Sequence, residues 1–172
     1  MNAAALRLRG RVAAKLGDNV DTDILYPGRY LNITDREKTA EHLFELAWPE
    51  IRAKLAPGDL IVAGKNFGCG SSREQATAAV KYAGAGAVIA VSFARIFYRN
   101  SINLGLPAVV SQEAAASTEA GDELEIDLVS GRIHNVTRNL TVNAAPLDPR
   151  AVELLQAGGL IPYLKKKYSS AA

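Results

Sequence analysis

Two kinds of apolar pattern divide the chain. Between residues 60 and 110 the apolar positions come in unbroken runs: Leu60–Ala63, Ala87–Val91 and Leu106–Val110. Such runs are expected of strands buried on both faces. An alanine-rich stretch ending at Ala83, stopped by Gly84 and Gly86, separates the first two and predicts a helix near 73–83. Ser92 to Asn103, with Ile96, Phe97 and Ile102 apolar and Asn103 to Gly105 closing it, predicts a second. Two strand–helix units in succession predict a parallel, α/β-like core. After residue 120 the pattern becomes alternation. Leu124, Ile126 and Leu128 are interleaved with Glu125 and Asp127, as in a half-buried strand. Ser130-Gly131 reads as a hairpin turn, and Arg132–Val136 and Leu140–Val142 as further short strands, so this end of the sheet is expected to be antiparallel.

The flanks are less regular. Leu6, Leu8, Val12, Ala14 and Leu16 alternate loosely and predict a strand pair or one bent strand. Thr34 with Glu37 has the spacing of a capping box, so a helix is expected to begin near Asp35. Leu43, Phe44, Leu46 and Ala47 would be its apolar stripe, with His42 beside it in a structural role. Trp48-Pro49 opens a second short helix, carrying Ile51 and Leu55, and Ala56–Asp59 is a turn. Near the end, Asp148 caps a helix begun by Pro149 and carrying Val152, Leu154 and Leu155; Gly158-Gly159 breaks it before Leu160–Tyr168. Lys165–Lys167 read as a solvated helix end, favourable to the helix dipole. Asp18, Asp21 and Asp23 suggest a cation loop, but the segment lacks the glycine and glutamate a calcium loop needs. It predicts a polar turn whose Asx side chains brace backbone.

Composition narrows the classes. The chain has 172 residues, 48% apolar and 22% charged, which is ordinary for one globular domain. A net charge of +2 gives no bulk attraction to nucleic acid. Cys69 is the only cysteine, so no internal disulfide can form, and with His42 and His134 the donor set is too small for a closed zinc site or a cubane cluster. No apolar run approaches the length of a membrane span, and the first residues lack the apolar core of a signal peptide. A cytoplasmic location is expected.

The candidate chemistry lies in Gly64–Gln75, between the strand at 60–63 and the following helix. Gly64, Gly68 and Gly70 let main chain approach a ligand, and a helix start offers unpaired N–H groups and partial positive charge. A Walker loop is excluded because no lysine follows Gly68 or Gly70, where the motif's second glycine would stand, and a dinucleotide fingerprint because its third glycine position is Arg73. What remains is a turn delivering Ser71, Ser72 and Arg73 to a helix start. Ser71 with Glu74 is itself a capping box, so Ser71 could simply satisfy backbone donors. Alternatively, N–H dipoles and Arg73 could stabilise a serine alkoxide, giving a base without a histidine partner. Arg73 could equally clamp a carboxylate in bidentate fashion. Cys69 fits a packing or lining role.

Three ordered stretches resemble the swivelling domain of the aconitase superfamily: Asp18–Ile24, Gly64–Ala76 and Ser92–Pro107, within a similarity covering roughly residues 8–165. The likeness is to its free-standing form, the small subunits of 3-isopropylmalate dehydratase and of its homoaconitase and dimethylmalate dehydratase relatives. The resemblance implies a single swivelling β/β/α domain over residues 1–172, with a mixed, partly parallel sheet or barrel flanked by helices. It also implies a partner large subunit, in a heterodimer or heterotetramer. That partner would carry a [4Fe-4S] cluster whose open iron acts as a Lewis acid; no metal would be bound by this chain. By the same resemblance Ser71 abstracts the proton α to a carboxylate, while Ser72 and Arg73 hold the substrate carboxylate and oxyanion. Tyr30–Asp35 aligns with the family's substrate-recognition loop. Homoaconitase-type chains tend to have arginine at the place of Asn32, whereas here the pair is Asn32-Ile33. A branched apolar substituent packs more easily on Ile33, and Arg29 stands nearby as a second carboxylate partner. 3-Isopropylmalate (leucine biosynthesis) is the expected substrate, with dimethylmalate or a methyl-substituted malate as rivals.

Overall fold

The computed structural model describes residues 6–169. Seven strands form one mixed sheet, in the order β4-β3-β2-β1-β5-β6-β7. Its central strand, β1 (Arg7–Lys15), is one bent strand that serves both halves. Arg7 to Arg11 pair antiparallel with β5 (Glu123–Asp127), and Val12 to Lys15 pair parallel with β2 (Leu60–Ala63) across a register shift between Val12 and Ala14. β3 (Ala87–Ala90) and β4 (Ala108–Val110) continue the parallel half. β6 (Arg132–Asn135) and β7 (Leu140–Asn143) complete the antiparallel half.

The unbroken apolar runs have a simple cause. Ile61, Ala63, Val88 and Ala90 face one core, with Phe44, Ala76, Ala79 and Val80 packed on it. Leu60, Val62, Ala87 and Ile89 face a second, shared with Leu124, Ile126 and Ile133. Both faces of β2 and β3 are dry, whereas β5 buries only Leu124 and Ile126 and reads as alternating. Because β1, β2 and β3 are parallel neighbours, the segments after them (residues 16–23, 64–73 and 91–95) emerge along one edge. That edge lies at the carboxyl ends of the strands, where open α/β sheets place their ligands.

The helices after β2 and β3 are α4 (Glu74–Tyr82) and α5 (Arg95–Leu104). Gly105 caps α5 in a left-handed conformation at φ 74°, and a Cβ there would come within 2.6 Å of the Gly158 backbone. This close approach seats α7 (Pro149–Ala157) and α8 (Leu160–Ser169) on α5, around Ile102, Ala151 and Leu154. Asp148 caps α7 through Arg150 N–H at 2.8 Å, as expected.

Several local expectations fail. After α1 (Thr22–Leu25), the helix α2 (Arg36–Glu41) is capped by Asp35, which accepts from Lys38 N–H at 2.9 Å, and not by Thr34. It stops at His42, short of the expected stripe. Phe44 takes φ 60° and gives its N–H to the Leu25 carbonyl at 3.2 Å, so tertiary contact rather than helix buries it. Leu46 is left exposed. α3 (Pro49–Lys54) follows Trp48 as expected, but α6 (Gln112–Ser117), capped by Ser111, has no counterpart in the sequence reading.

Candidate active site

The glycine loop after β2 is held from two sides. On one, the polar turn of residues 17–24 braces it. Asp18 accepts the Lys65 N–H at 2.6 Å, Asn19 Oδ1 accepts from Asn66 Nδ2 at 2.9 Å, and Gly68 N–H donates to Val20 O at 2.8 Å. Thr22 N–H donates to Cys69 O at 2.9 Å, and the buried Thr22 hydroxyl donates to Ser71 O at 3.1 Å. Asp21 caps α1 through Ile24 N–H at 2.8 Å. The acidic turn is therefore loop bracing.

On the other side stands the start of α5. Phe67 N–H donates to Ser92 O at 3.0 Å, and Ala94 N–H to Phe67 O at 2.9 Å. Phe67 packs edge-on to Phe97 with ring centroids 5.1 Å apart. Gly68, at φ 77°, passes directly over the Phe97 ring, where a Cβ would collide. The three motifs that stand far apart in sequence thus form one hydrogen-bonded unit.

α4 begins one residue after Arg73, which is its N-cap and supplies no side-chain cap. The Ser71–Glu74 capping box does not form. The bracing bonds set where the loop ends, and Ser71 falls three residues before the helix. Ser71 and Ser72 are exposed, and neither hydroxyl makes a hydrogen bond among the described residues. Arg73 is mostly covered, its side chain 17% exposed; it ion-pairs with Asp23, and a Cβ at Gly28 would come within 3.4 Å of both its Nη atoms. A cavity of about 210 Å³ opens here, lined among others by Thr22, Ser71, Ser72, Arg73, Arg95 and Ile96. Ile96, expected to be an apolar helix contact, is instead 44% exposed at its wall.

Arg29, Asn32 and Ile33 lie outside that lining, in the adjacent loop. Gln75 Nε2 ties this loop to the start of α4 by donating to Leu31 O at 3.3 Å. Arg29 pairs with Glu45 and stacks over Tyr30, 4.8 Å from the ring centroid. Glu45 also accepts from Tyr30 OH at 3.0 Å and contacts His42 Nδ1 at 2.5 Å, and His42 stacks on Tyr30 at 3.6 Å. Burial pushes the Glu45 carboxyl up, but the bonds from His42, Tyr30 and Arg29 together hold it below the usual carboxylate range. His42 has a structural role, bracing Tyr30 and Glu45 beside the loop that carries Asn32 and Ile33. Asn32 is exposed and Ile33 half-buried. Cys69 is a half-buried free thiol whose carbonyl carries the contact to Thr22.

A larger cavity of about 450 Å³ lies on the polar face of β1, β5 and β6. Two of its arginines pair across the strands, Arg7 with Asp127 at 3.4 Å and Arg9 with Glu123 and Glu125 at 2.7 and 3.0 Å. Among the described residues no group of three or more His, Cys, Asp or Glu could hold a metal ion, and no helix is long and apolar enough to cross a membrane. The sequence reading does not single out Thr22, Asp23, Arg95 or Ile96 as site residues. The signal available was that their two stretches recur with the glycine loop in the resemblance.

Similar proteins place the chain in a family. The aconitase C-terminal domain family matches residues 2–113. The 3-isopropylmalate dehydratase small subunit of Moorella thermoacetica is 53% identical over 155 residues, 90% of this chain and 93% of that protein. The isopropylmalate/citramalate isomerase small subunit of Methanocaldococcus jannaschii is 49% identical over 164 residues, 95% of this chain and 97% of that protein. The crystal structure of a 3-isopropylmalate dehydratase chain from Methanocaldococcus jannaschii superposes with a TM-score of 0.87 at 45% identity, covering 96% of this chain and 97% of that one. The chain belongs to the aconitase C-terminal domain family and stands within its group of 3-isopropylmalate dehydratase small subunits and their relatives.

Proposed function

We propose that this chain, as one swivel domain over residues 1–172, supplies the base half of a cytoplasmic 3-isopropylmalate dehydratase, a hydro-lyase that interconverts 2- and 3-isopropylmalate by loss and re-addition of water. The observation that carries this is the pair of serine hydroxyls, without hydrogen bonds among the described residues, beside Arg73 in the cavity at the start of α4. The large subunit would hold the [4Fe-4S] cluster, which supplies a Lewis acid there; the donor set on this chain does not fit such a cluster.

Ser71, as alkoxide, takes the proton α to a substrate carboxylate. The C–H bond breaks, an O–H bond forms on Ser71, and the electron pair passes into the carboxylate. Collapse of that intermediate breaks the neighbouring C–O bond and leaves the alkene; the hydroxyl departs as hydroxide, which the Lewis acid of the large subunit would accept. Re-addition with the positions reversed returns the proton from Ser71. Arg73 clamps a carboxylate oxygen pair, and Asp23 fixes its fork in place without filling it. Ser72 donates to the same developing oxyanion. Asn32 and Ile33 meet the substituent. Arg29 in a substrate role must first leave Glu45, which disfavours an extra carboxylate and so a tricarboxylate substrate. A methyl-substituted malate is the second reading, supported by the name of the Methanocaldococcus jannaschii relative.

The test is reconstitution with a cluster-loaded large subunit and assay against isopropylmalate, dimethylmalate, citramalate and homocitrate. Turnover that needs both chains and is fastest on isopropylmalate is expected. Carboxylate binding by this chain with no gain of turnover from any large subunit would make it a non-catalytic binding module instead.

A further inference from the structure

The substrate of the proposed reaction is a dicarboxylate, so its charge must be met at two places. Arg73 meets one, with Asp23 already at its fork. Arg29, the other arginine that the sequence offers, is outside the cavity lining and held by Glu45. The second arginine that lines the cavity is Arg95, the first residue of α5. It has no ion pair or side-chain hydrogen bond among the described residues. Among the described residues Arg95 is therefore an unneutralised cation on the wall that carries Ser71 and Ser72.

Its position is also fixed relative to those serines. Ala94 N–H is bonded to Phe67 O, and Phe67 packs edge-on against Phe97. Gly68 rests on the Phe97 ring. The residues on either side of Arg95 are thereby fastened to the loop that presents Ser71, so a carboxylate on Arg95 would be held in register with the base.

We propose that Arg95 binds the second carboxylate of the substrate, so that Arg73 and Arg95 together select a dicarboxylate. The assignment rests on the dehydratase reading of this site. A charge-assisted pair of this kind is worth about ten- to a hundredfold in binding. Recognition of the second carboxylate is expected to persist for any malate substituent, because Ile33 and not Arg95 meets the substituent.

The experiment uses the reconstituted two-subunit enzyme with Arg95→Gln and Arg95→Lys. Arg95 is exposed, so both variants are expected to fold, and binding to the large subunit is measured by calorimetry alongside kinetics. Expected are an R95Q KM for the diacid raised about ten- to a hundredfold, partial recovery in R95K, and unchanged affinity for the large subunit. With a substrate analogue whose second carboxylate is an amide, R95Q and the native chain should differ by less than threefold, on the order of the non-additivity expected of independent sites. Unchanged KM, an equal loss on diacid and amide, or a loss confined to subunit affinity would overturn the assignment while leaving the dehydratase reading intact. A native complex with no turnover would overturn both.

Discussion

Ser71 carries two local signals that point different ways. By spacing it is a helix cap; by neighbourhood it is a base. The cap fails because the loop's end is set by distant partners, Thr22 and Val20, rather than by Glu74 three residues on. That outcome leaves the hydroxyl without a hydrogen bond among the described residues. Ser71→Ala in the reconstituted enzyme is expected to lower turnover by about 10²- to 10⁴-fold, the usual range for a lost general base, with assembly unchanged. Near-normal turnover would remove the assignment. Asp122 is a structural counterpart. Burial pushes its carboxyl up, but Glu119 N–H, Asn135 and Arg138, at 2.9, 2.8 and 2.6 Å, hold it below the usual range. A depressed folded value means stability that is fully present above the unfolded value of about 3.9 and lost as pH falls through the folded one. Asp122→Asn should flatten that acid limb in equilibrium unfolding and cost about 1–3 kcal/mol at neutral pH. An unchanged acid limb would show that Asp122 does not titrate differently on folding.

At the scale of elements, what was legible depended on the range of the interactions. β2, β3 and β5 were readable because burial on two faces or one writes itself directly into the residue pattern. α7 was readable because Asp148 and Pro149 act within one turn. The end of α2 was not, since it is decided by the Phe44 N–H finding Leu25, a contact no local pattern contains. The site divided the same way: the glycine loop was visible by itself, whereas the lining by Arg95 and Ile96 depends on how α5 meets the loop. Gly68 and Phe97 make that meeting point testable. Gly68→Ala puts a Cβ into a left-handed backbone and onto a ring, so a loss of about 1–2 kcal/mol from the backbone alone is expected. Phe97→Ala should lose about 3–5 kcal/mol by opening a core. In urea unfolding the double variant should lose less than the sum, with a coupling of about 0.5–3 kcal/mol, because removing the ring makes room for the new methyl. Strict additivity would place the strain elsewhere.

For the whole molecule, the bent strand β1 decides where chemistry can occur. Its parallel half sends three segments to one edge, and its antiparallel half builds a wall on which Arg7 and Arg9 pair with carboxylates of β5. Ser71 and Arg73, the residues proposed as base and clamp, lie along that edge, with the loop of Asn32 and Ile33 adjacent to it. On the dehydratase reading the partner supplies the rest of the site, so the isolated chain should bind a small dicarboxylate poorly. Ligand linkage turns this into a measurement. A ligand that binds only the folded protein stabilises it by RT ln(1 + [L]/Kd), about 2.7 kcal/mol at a hundred times Kd. Isopropylmalate at millimolar concentration is therefore expected to leave the thermal midpoint of the isolated chain within error. It should raise the midpoint of the two-subunit complex by several degrees. In the complex, Arg73→Gln should abolish that rise, because it removes the clamp that couples substrate to this chain, while leaving the midpoint without substrate nearly unchanged apart from the lost Asp23 pair, which is worth at most about 1 kcal/mol at so exposed a carboxylate. A full-sized shift in the isolated chain would mean that the cavity is a complete binding site, and that the partner adds chemistry without adding affinity.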